Sequence, residues 1–135
     1  MKDLLINIGI KSKKAFTKNV SSKKKDKVLK DYCHLINKNR KLIINQNKKD
    51  IKNAIKKKIK SNLIQRLVLD DKKISDIINS IKQIIKLKDP TNRVLEKWKR
   101  PNGLSISKIS IPIGVIGVIY ESRPNVTSDV ASLCF

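Results

Sequence analysis

The side chains with chemistry to offer gather near the end of the chain, in Glu121-Ser122-Arg123-Pro124-Asn125. Arg123 is the only arginine of residues 101–135. Its planar fork of donors suits a phosphate or a carboxylate, although Glu121, two residues away, offers it a simple and weak surface ion pair instead. Asn125 stands just before a helical pattern, where an asparagine serves as an N-cap or a turn residue. The nucleophile candidates fare worse. Cys134 lies on an apolar helical stripe with no base beside it, which suits a buried small hydrophobe better than a thiolate. Cys33 neighbours His34, the single histidine of the chain, but adjacent residues of a helix point apart. Neither cysteine belongs to a C-x-x-C pair, so no zinc site or disulfide framework can be assembled.

The elements that must position this polar knot lie on either side of it. Before it runs Ile113 to Ile119, apolar except for Gly114 and Gly117. A short run rich in β-branched residues predicts a strand buried on both faces, hence a parallel strand covered by helices. After it, Val126, Val130, Ala131 and Leu133 begin a helical stripe. The order is strand, polar loop, helix, and ligands of open α/β sheets bind at the carboxyl ends of the strands, where this loop falls. Gly114 and Gly117 sit inside the strand rather than after it, so they form no dinucleotide fingerprint. Glycine in a strand signals close approach by another backbone or a helix.

Upstream the chain is helical. The first helix is expected over residues 2–19, with Leu4, Leu5, Ile8, Ala15 and Phe16 on one side. Ser21 or Ser22 caps a second that carries Val28, Leu29, Tyr32, Leu35 and Ile36. Asn37-Lys38-Asn39 marks a break. A third helix is expected from about Arg40 to Ile59, with an apolar face of Leu42, Ile43, Ile51, Ala54, Ile55 and Ile59. Ser61 to Leu69 is a connector with room for one helical turn. Asp70 and Asp71 then cap a helix in which Ile74, Ile77, Ile78, Ile81, Ile84 and Ile85 repeat without a miss, until Asp89-Pro90 stops it. The period next changes. Val94 to Arg100 and Leu104 to Ile111 flank Pro101-Asn102-Gly103, a hairpin signal. A slip in the alternation predicts a bulge near Ser107-Lys108, and Trp98 is expected to pack across the hairpin.

Composition bounds the function classes. The 135 residues suit one domain at most. The net charge of +21 first points to nucleic acid. However, residues 1–60 carry net +16, residues 61–100 net +5 and residues 101–135 net zero, and the cations are 27 Lys against 5 Arg. Aromatics are 4% and none interrupts a lysine run. Lysine filling the solvent faces of helices accounts for this without a nucleic-acid partner. No apolar run approaches a membrane span. The N-terminus lacks the apolar core and cleavage site of a signal peptide, so the expected location is cytoplasmic with reduced thiols. The sequon-like Asn19-Val20-Ser21 and Asn125-Val126-Thr127 carry no meaning in that compartment.

Val118-Ile119-Tyr120-Glu121-Ser122-Arg123-Pro124-Asn125-Val126-Thr127, with Asp129-Val130-Ala131-Ser132-Leu133-Cys134 after it, resembles the γ-glutamyl phosphate reductase family. That family, also called glutamate-5-semialdehyde dehydrogenase, is a branch of the aldehyde dehydrogenase superfamily. The likeness extends more loosely through Arg66-Leu67 and Lys86-Leu87-Lys88-Asp89-Pro90 to the N-terminus. It implies an α/β fold: N-terminal helices over 1–89, a β-hairpin over 93–111, then over 112–135 the first strand and helix of a Rossmann-like cofactor domain. Members run far beyond residue 135, and the chain stops inside an apolar helix, so an N-terminal fragment is expected.

The resemblance also implies an activity. L-glutamyl 5-phosphate is reduced with NADPH to glutamate 5-semialdehyde and phosphate, in proline biosynthesis. A cysteine thiolate displaces phosphate, hydride reduces the thioester, and the hemithioacetal collapses to the aldehyde. That cysteine lies downstream in the family, so the chain alone is expected to be inactive. The matching loop places Tyr120, Glu121, Ser122, Arg123 and Pro124 at the cofactor and Arg123 and Asn125 at the substrate. Asn125 corresponds to an asparagine whose amide donates to the substrate oxyanion, a task suited to a neutral, fixed donor; its spacing departs from the superfamily pattern by a couple of residues. The full enzyme is expected to form a homo-oligomer, and no metal is implied. Two other classes stand beside this one: a basic helical protein that binds nucleic acid, and a non-catalytic fragment whose exposed apolar strand pairs with another chain.

Overall fold

The structure is a computed structural model and describes residues 2–18 and 20–135. It consists of α1 (Lys2–Phe16), α2 (Ser22–Lys38), α3 (Arg40–Lys56), α4 (Ser61–Leu67), α5 (Asp71–Lys86), β1 (Val94–Lys99), β2 (Ser105–Ile109) and α6 (Pro124–Cys134). The chain divides into two compact units. One comprises residues 1–20 and 88–117, the other residues 21–87 and 118–135.

The second unit is built around α5. Its isoleucine repeat puts Ile74, Ile77, Ile78 and Ile81 on one face, where they are buried with Leu29, Cys33 and Ile36 of α2 and with Leu69. Ile84 and Ile85 pack at the edge of this core. Asp70 caps the helix as expected: its Oδ1 accepts from the Lys73 amide at 2.7 Å. The break at Asn37-Lys38-Asn39 is a single residue wide. Asn39 ends α2 and begins α3, and its side-chain amide donates back to the Leu35 carbonyl at 2.8 Å. Arg40, next in line, donates to the Asp71 carbonyl at 2.8 Å, Ser75 Oγ at 3.0 Å and Asn37 Oδ1 at 3.1 Å. It thereby holds the α2–α3 corner to the start of α5.

Helix α3 ends three residues before the expected Ile59. Lys58 adopts φ 54°, its amide donates to the Ile55 carbonyl at 2.9 Å, and the Ile59 amide donates to the Ala54 carbonyl at 3.1 Å. This is a Schellman stop with lysine where glycine is usual. The face of α3 also differs from the sequence pattern. Leu42 and Ile55 are exposed, while Asn47 is buried. Asn47 earns its place by spanning a loop: Nδ2 donates to the Leu67 carbonyl at 2.9 Å and Oδ1 accepts from the Leu69 amide at 2.8 Å. The connector is two turns of helix, α4, rather than one.

In the first unit α1 ends at Phe16, short of the expected residue 19, which lies outside the described residues. β1 and β2 pair antiparallel, with Trp98 opposite Ile106. In the turn, the Gly103 amide donates to the Arg100 carbonyl at 2.9 Å, and φ 86° at Gly103 explains the glycine. The bulge lies between Val94 and Glu96, not at Ser107-Lys108. The extra residue is Leu95 on the opposite arm, so β2 itself runs without a bulge.

The fold is α/β overall, helical with one small sheet. Among the described residues, Ile113 to Ile119 joins no ladder. A central strand needs neighbours on both sides, and the two strands of this chain pair with each other. Ile113 and Ile119 are therefore fully exposed. Gly114 has φ 119°, a backbone state open mainly to glycine. Among the described residues nothing lies within 4 Å of where a Cβ would stand at Gly114 or Gly117, so none of them makes the expected close approach.

Candidate functional site

The knot at 120–125 leads directly into α6. Pro124 is the first helical residue, a position where its missing amide hydrogen costs nothing. Arg123 is the N-cap, without a side-chain cap bond. Asn125 is thus neither cap nor turn residue but part of the first helical turn. Its Nδ2 donates to Asp129 Oδ2 at 3.0 Å, one helical turn on. A carboxylate can only accept, which fixes the amide's orientation. One amide hydrogen and the carbonyl Oδ1 remain for a ligand.

The other end of the loop is tied to the same helix. Tyr120 Oη and Thr127 Oγ1 are 2.6 Å apart. Between these ties Ser122 takes φ 51°, a left-handed state that a non-glycine residue holds only under constraint. Glu121 and Arg123 are both exposed, and neither is in an ion pair among the described residues. The guanidinium is accordingly presented rather than spent. The structure brings Tyr120, Glu121, Ser122, Arg123, Pro124 and Asn125 together at one helix end.

Helix α6 packs on α5 through its serines. Ser128 and Ser132 are buried, while Leu133 and Cys134 are exposed. This corrects the expectation of a buried Cys134: small side chains let the two helices approach, Val126 and Val130 are half-buried, and Leu133 and Cys134 stay exposed. Ser132 Oγ donates to the Ser128 carbonyl at 2.8 Å. Beside this contact lies a groove of about 250 Å³ lined by Val68, Leu69, Lys73, Asp76, Ile77, Ser80, Pro124, Asn125 and Asp129. Lys73, Asp76 and Ser80 were missed in the sequence because they fall on the polar side of α5, where any charged residue looks like solvation. Asp129 was legible only as a partner four residues from Asn125.

A second cavity, about 320 Å³, is lined by Cys33, His34, Asn37, Arg40, Ser75, Ile78, Asn79 and Lys82. Its arginine is consumed by the bonds described above. Cys33 is a core residue whose Sγ faces the Ile78 carbonyl at 3.9 Å. Burial pushes its thiol pKa up, against smaller opposing effects of Lys82 and the backbone, so it is the opposite of an activated nucleophile. No group of three or more His, Cys, Asp or Glu positioned for a metal occurs among the described residues. Nor is any of their helices long and apolar enough to cross a membrane.

No family model matches the chain. Individual relatives do. A gamma-glutamyl phosphate reductase of Nautilia profundicola is 47% identical over 135 residues, all of this chain and 32% of the relative. One from Nitratiruptor sp. is 50% identical over 116 residues, 86% of this chain and 28% of the relative. The crystal structure of gamma-glutamyl phosphate reductase from Thermotoga maritima superposes with a TM-score of 0.90 at 37% identity, covering 96% of this chain and 32% of that one. The chain therefore spans about a third of the length of the curated relatives it matches. Along its whole length in sequence, and in fold, the chain is similar to the N-terminal part of gamma-glutamyl phosphate reductases.

Proposed function

We propose that this chain is the N-terminal part of an enzyme that reduces L-glutamyl 5-phosphate to L-glutamate 5-semialdehyde and phosphate with NADPH, in L-proline biosynthesis. The observation that carries the reading is 47% identity along all 135 residues to a gamma-glutamyl phosphate reductase. The chain contributes part of the cofactor-binding domain of a cytoplasmic, homo-oligomeric enzyme. NADPH, when bound, supplies the hydride. The residues present fit such a group: Arg123 is exposed and outside any ion pair among the described residues, and a guanidinium fork suits phosphate.

The chain's own residues bind and orient. Tyr120 and Thr127 hold the loop to α6, so that Arg123 meets an anionic group of cofactor or substrate from a fixed backbone. Asn125 keeps one amide hydrogen for the substrate oxyanion, with Asp129 holding the other. A preorganised donor of this kind is worth about 10²–10³ in turnover where it acts. The nucleophilic cysteine lies outside these residues. Cys33 is a buried, protonated thiol, and Cys134 ends α6 with no histidine in its helix.

The test is a chimera. Residues 1–135 replace the corresponding third of the Nautilia profundicola relative, and phosphate-dependent oxidation of glutamate 5-semialdehyde is followed with NADP⁺ and with NAD⁺. Turnover with NADP⁺ preferred is expected, and none from the 135 residues alone. A folded chimera without turnover, or activity in the isolated chain, overturns the reading.

A further inference from the structure

Helix α5 carries polar side chains on both flanks of its buried isoleucine stripe, and the two flanks differ in charge. One holds Asp76 beside Lys73, in the groove shared with α6. The other presents Ser75, Asn79 and Lys82, spaced i, i+4 and i+7 on one face of the helix. There they meet His34 and Asn37 of α2 and Arg40 at the start of α3, around the cavity of about 320 Å³. Its apolar lining is the buried pair Cys33 and Ile78. None of the lining residues is an Asp or Glu; Asp71, which pairs with Arg40 at 3.2 Å, is not among them.

The polar groups of this cavity are left as donors. Asn37 Oδ1 accepts from Arg40 Nη2 at 3.1 Å. A guanidinium can only donate, so this bond fixes the amide and leaves both Asn37 Nδ2 hydrogens for a ligand. Arg40 is spent on holding α2 to α5, yet its charge stays at the cavity. Lys82 is exposed and in no ion pair among the described residues. Its charge reaches the buried side of the cavity, where it works against the desolvation that raises the Cys33 thiol. His34 and Asn79, both exposed, add a ring and a second amide. Unlike Lys73, which shares its groove with Asp76 and Asp129, Lys82 stands in a concavity without a carboxylate.

We propose that the cavity between α2 and α5 binds a doubly charged oxyanion, either inorganic phosphate or the phosphate group of a small metabolite. Lys82 meets it as a point charge. The amides of Asn37 and Asn79 and the His34 ring donate to its oxygens, and Arg40 supplies a second positive charge from the frame. A divalent cation is repelled by the same set, which offers it no carboxylate. Because the anion touches both α2 and α5, its binding stabilises their packing. No residue of 118–135 takes part, so the site stands apart from the loop at 120–125 and holds whether or not the reductase reading does.

The test uses the full chain, with inorganic phosphate and glycerol phosphate as probes and chloride making up a constant ionic strength. Saturable amide chemical shifts are expected at His34, Asn37, Asn79 and Lys82, together with a raised urea midpoint. Lys82→Gln weakens binding about tenfold, the loss of one charge-assisted contact, while Lys52→Gln leaves it within about twofold. Lys52 lies on α3 outside the cavity lining, so that variant removes the same charge without touching the site. Both lysines are exposed, so both variants keep the fold. Tighter binding of glycerol phosphate assigns the site to a phosphorylated metabolite, and tighter binding of phosphate to the inorganic ion; either supports the proposal. Shifts that do not saturate, shifts spread evenly over the lysines of the chain, or equal losses from the two variants mean that phosphate only screens a basic surface, and overturn it.

Discussion

Arg123 and Cys33 show how little of a side chain's role lies in its type. Both are groups that could act on a phosphorylated substrate, and burial and pairing separate them. Arg123 is presented at a helix end without an ion pair among the described residues. Arg123→Ala in the chimera is expected to lower kcat/KM by about 10–100-fold, the value of one charge-assisted contact of about 1.5–3 kcal/mol; a change under about twofold would make it a solvated surface residue. Cys33 lies in the core with its pKa raised, chiefly by desolvation. Below about pH 9.0 the thiol is protonated in folded and unfolded chains alike. Above that value the unfolded chain ionises first, and stability is lost as pH rises through the raised folded value. Urea midpoints at neutral pH and at about pH 10, compared with those of Cys33→Ala, should show a steeper loss in the parent chain. Equal slopes would mean the thiol is no more buried than it is when unfolded.

Among the elements, α5 carries its own instructions and α3 does not. The isoleucine repeat of α5 coincides with its buried face, because a helix with one wide apolar stripe has a single way to hide it. On α3 the apolar residues Leu42 and Ile55 remain exposed and Asn47 is buried. The polar residue wins because two backbone groups of the α4–α5 connection, the Leu67 carbonyl and Leu69 amide, have no other partner close by, and an unsatisfied buried group costs more than an exposed leucine. Asn47→Ala is expected to destabilise the chain by about 2–3 kcal/mol, measurable as a lowered urea midpoint with an unchanged slope. Asn47→Asp, which keeps the acceptor for Leu69 but loses the donor to Leu67, should fall between the two.

At the scale of the whole molecule, the chain exposes a broad set of apolar side chains. Ile113 and Ile119 are fully exposed, and Leu4, Leu5, Leu133 and Phe135 are largely so. Charge opposes association of such surfaces: at +21 copies repel one another until salt screens them, over about 8–10 Å at physiological ionic strength. Light scattering by the isolated chain should therefore rise with salt, and Ile116→Lys with Ile119→Lys should suppress the rise. A nucleic-acid-binding protein behaves in the opposite sense, since its association with DNA weakens steeply as salt increases. Scattering that needs nucleic acid and vanishes with salt would favour that class instead.

The helices, the α5 cap at Asp70, the hairpin turn at Gly103 and a polar loop leading into α6 were all legible in the sequence. Each depends on neighbours a few residues away, through 3.6-residue spacing, a capping oxygen or a backbone angle that glycine tolerates. The resemblance of residues 118–134 was legible for the same reason, being a contiguous stretch. Tertiary structure alone decided the rest. It put the bulge on β1 rather than β2, since a bulge is defined by how two strands pair and not by one strand's own pattern. It left 113–119 without a partner, since a strand is made by its neighbours and not by its own residues. It turned α6 so that Ser128 and Ser132 face α5, and so joined Lys73 and Asp76 to Asn125 and Asp129 across some fifty residues of chain. No local rule links positions that far apart; only the packing of one helix on another brings them to a common groove.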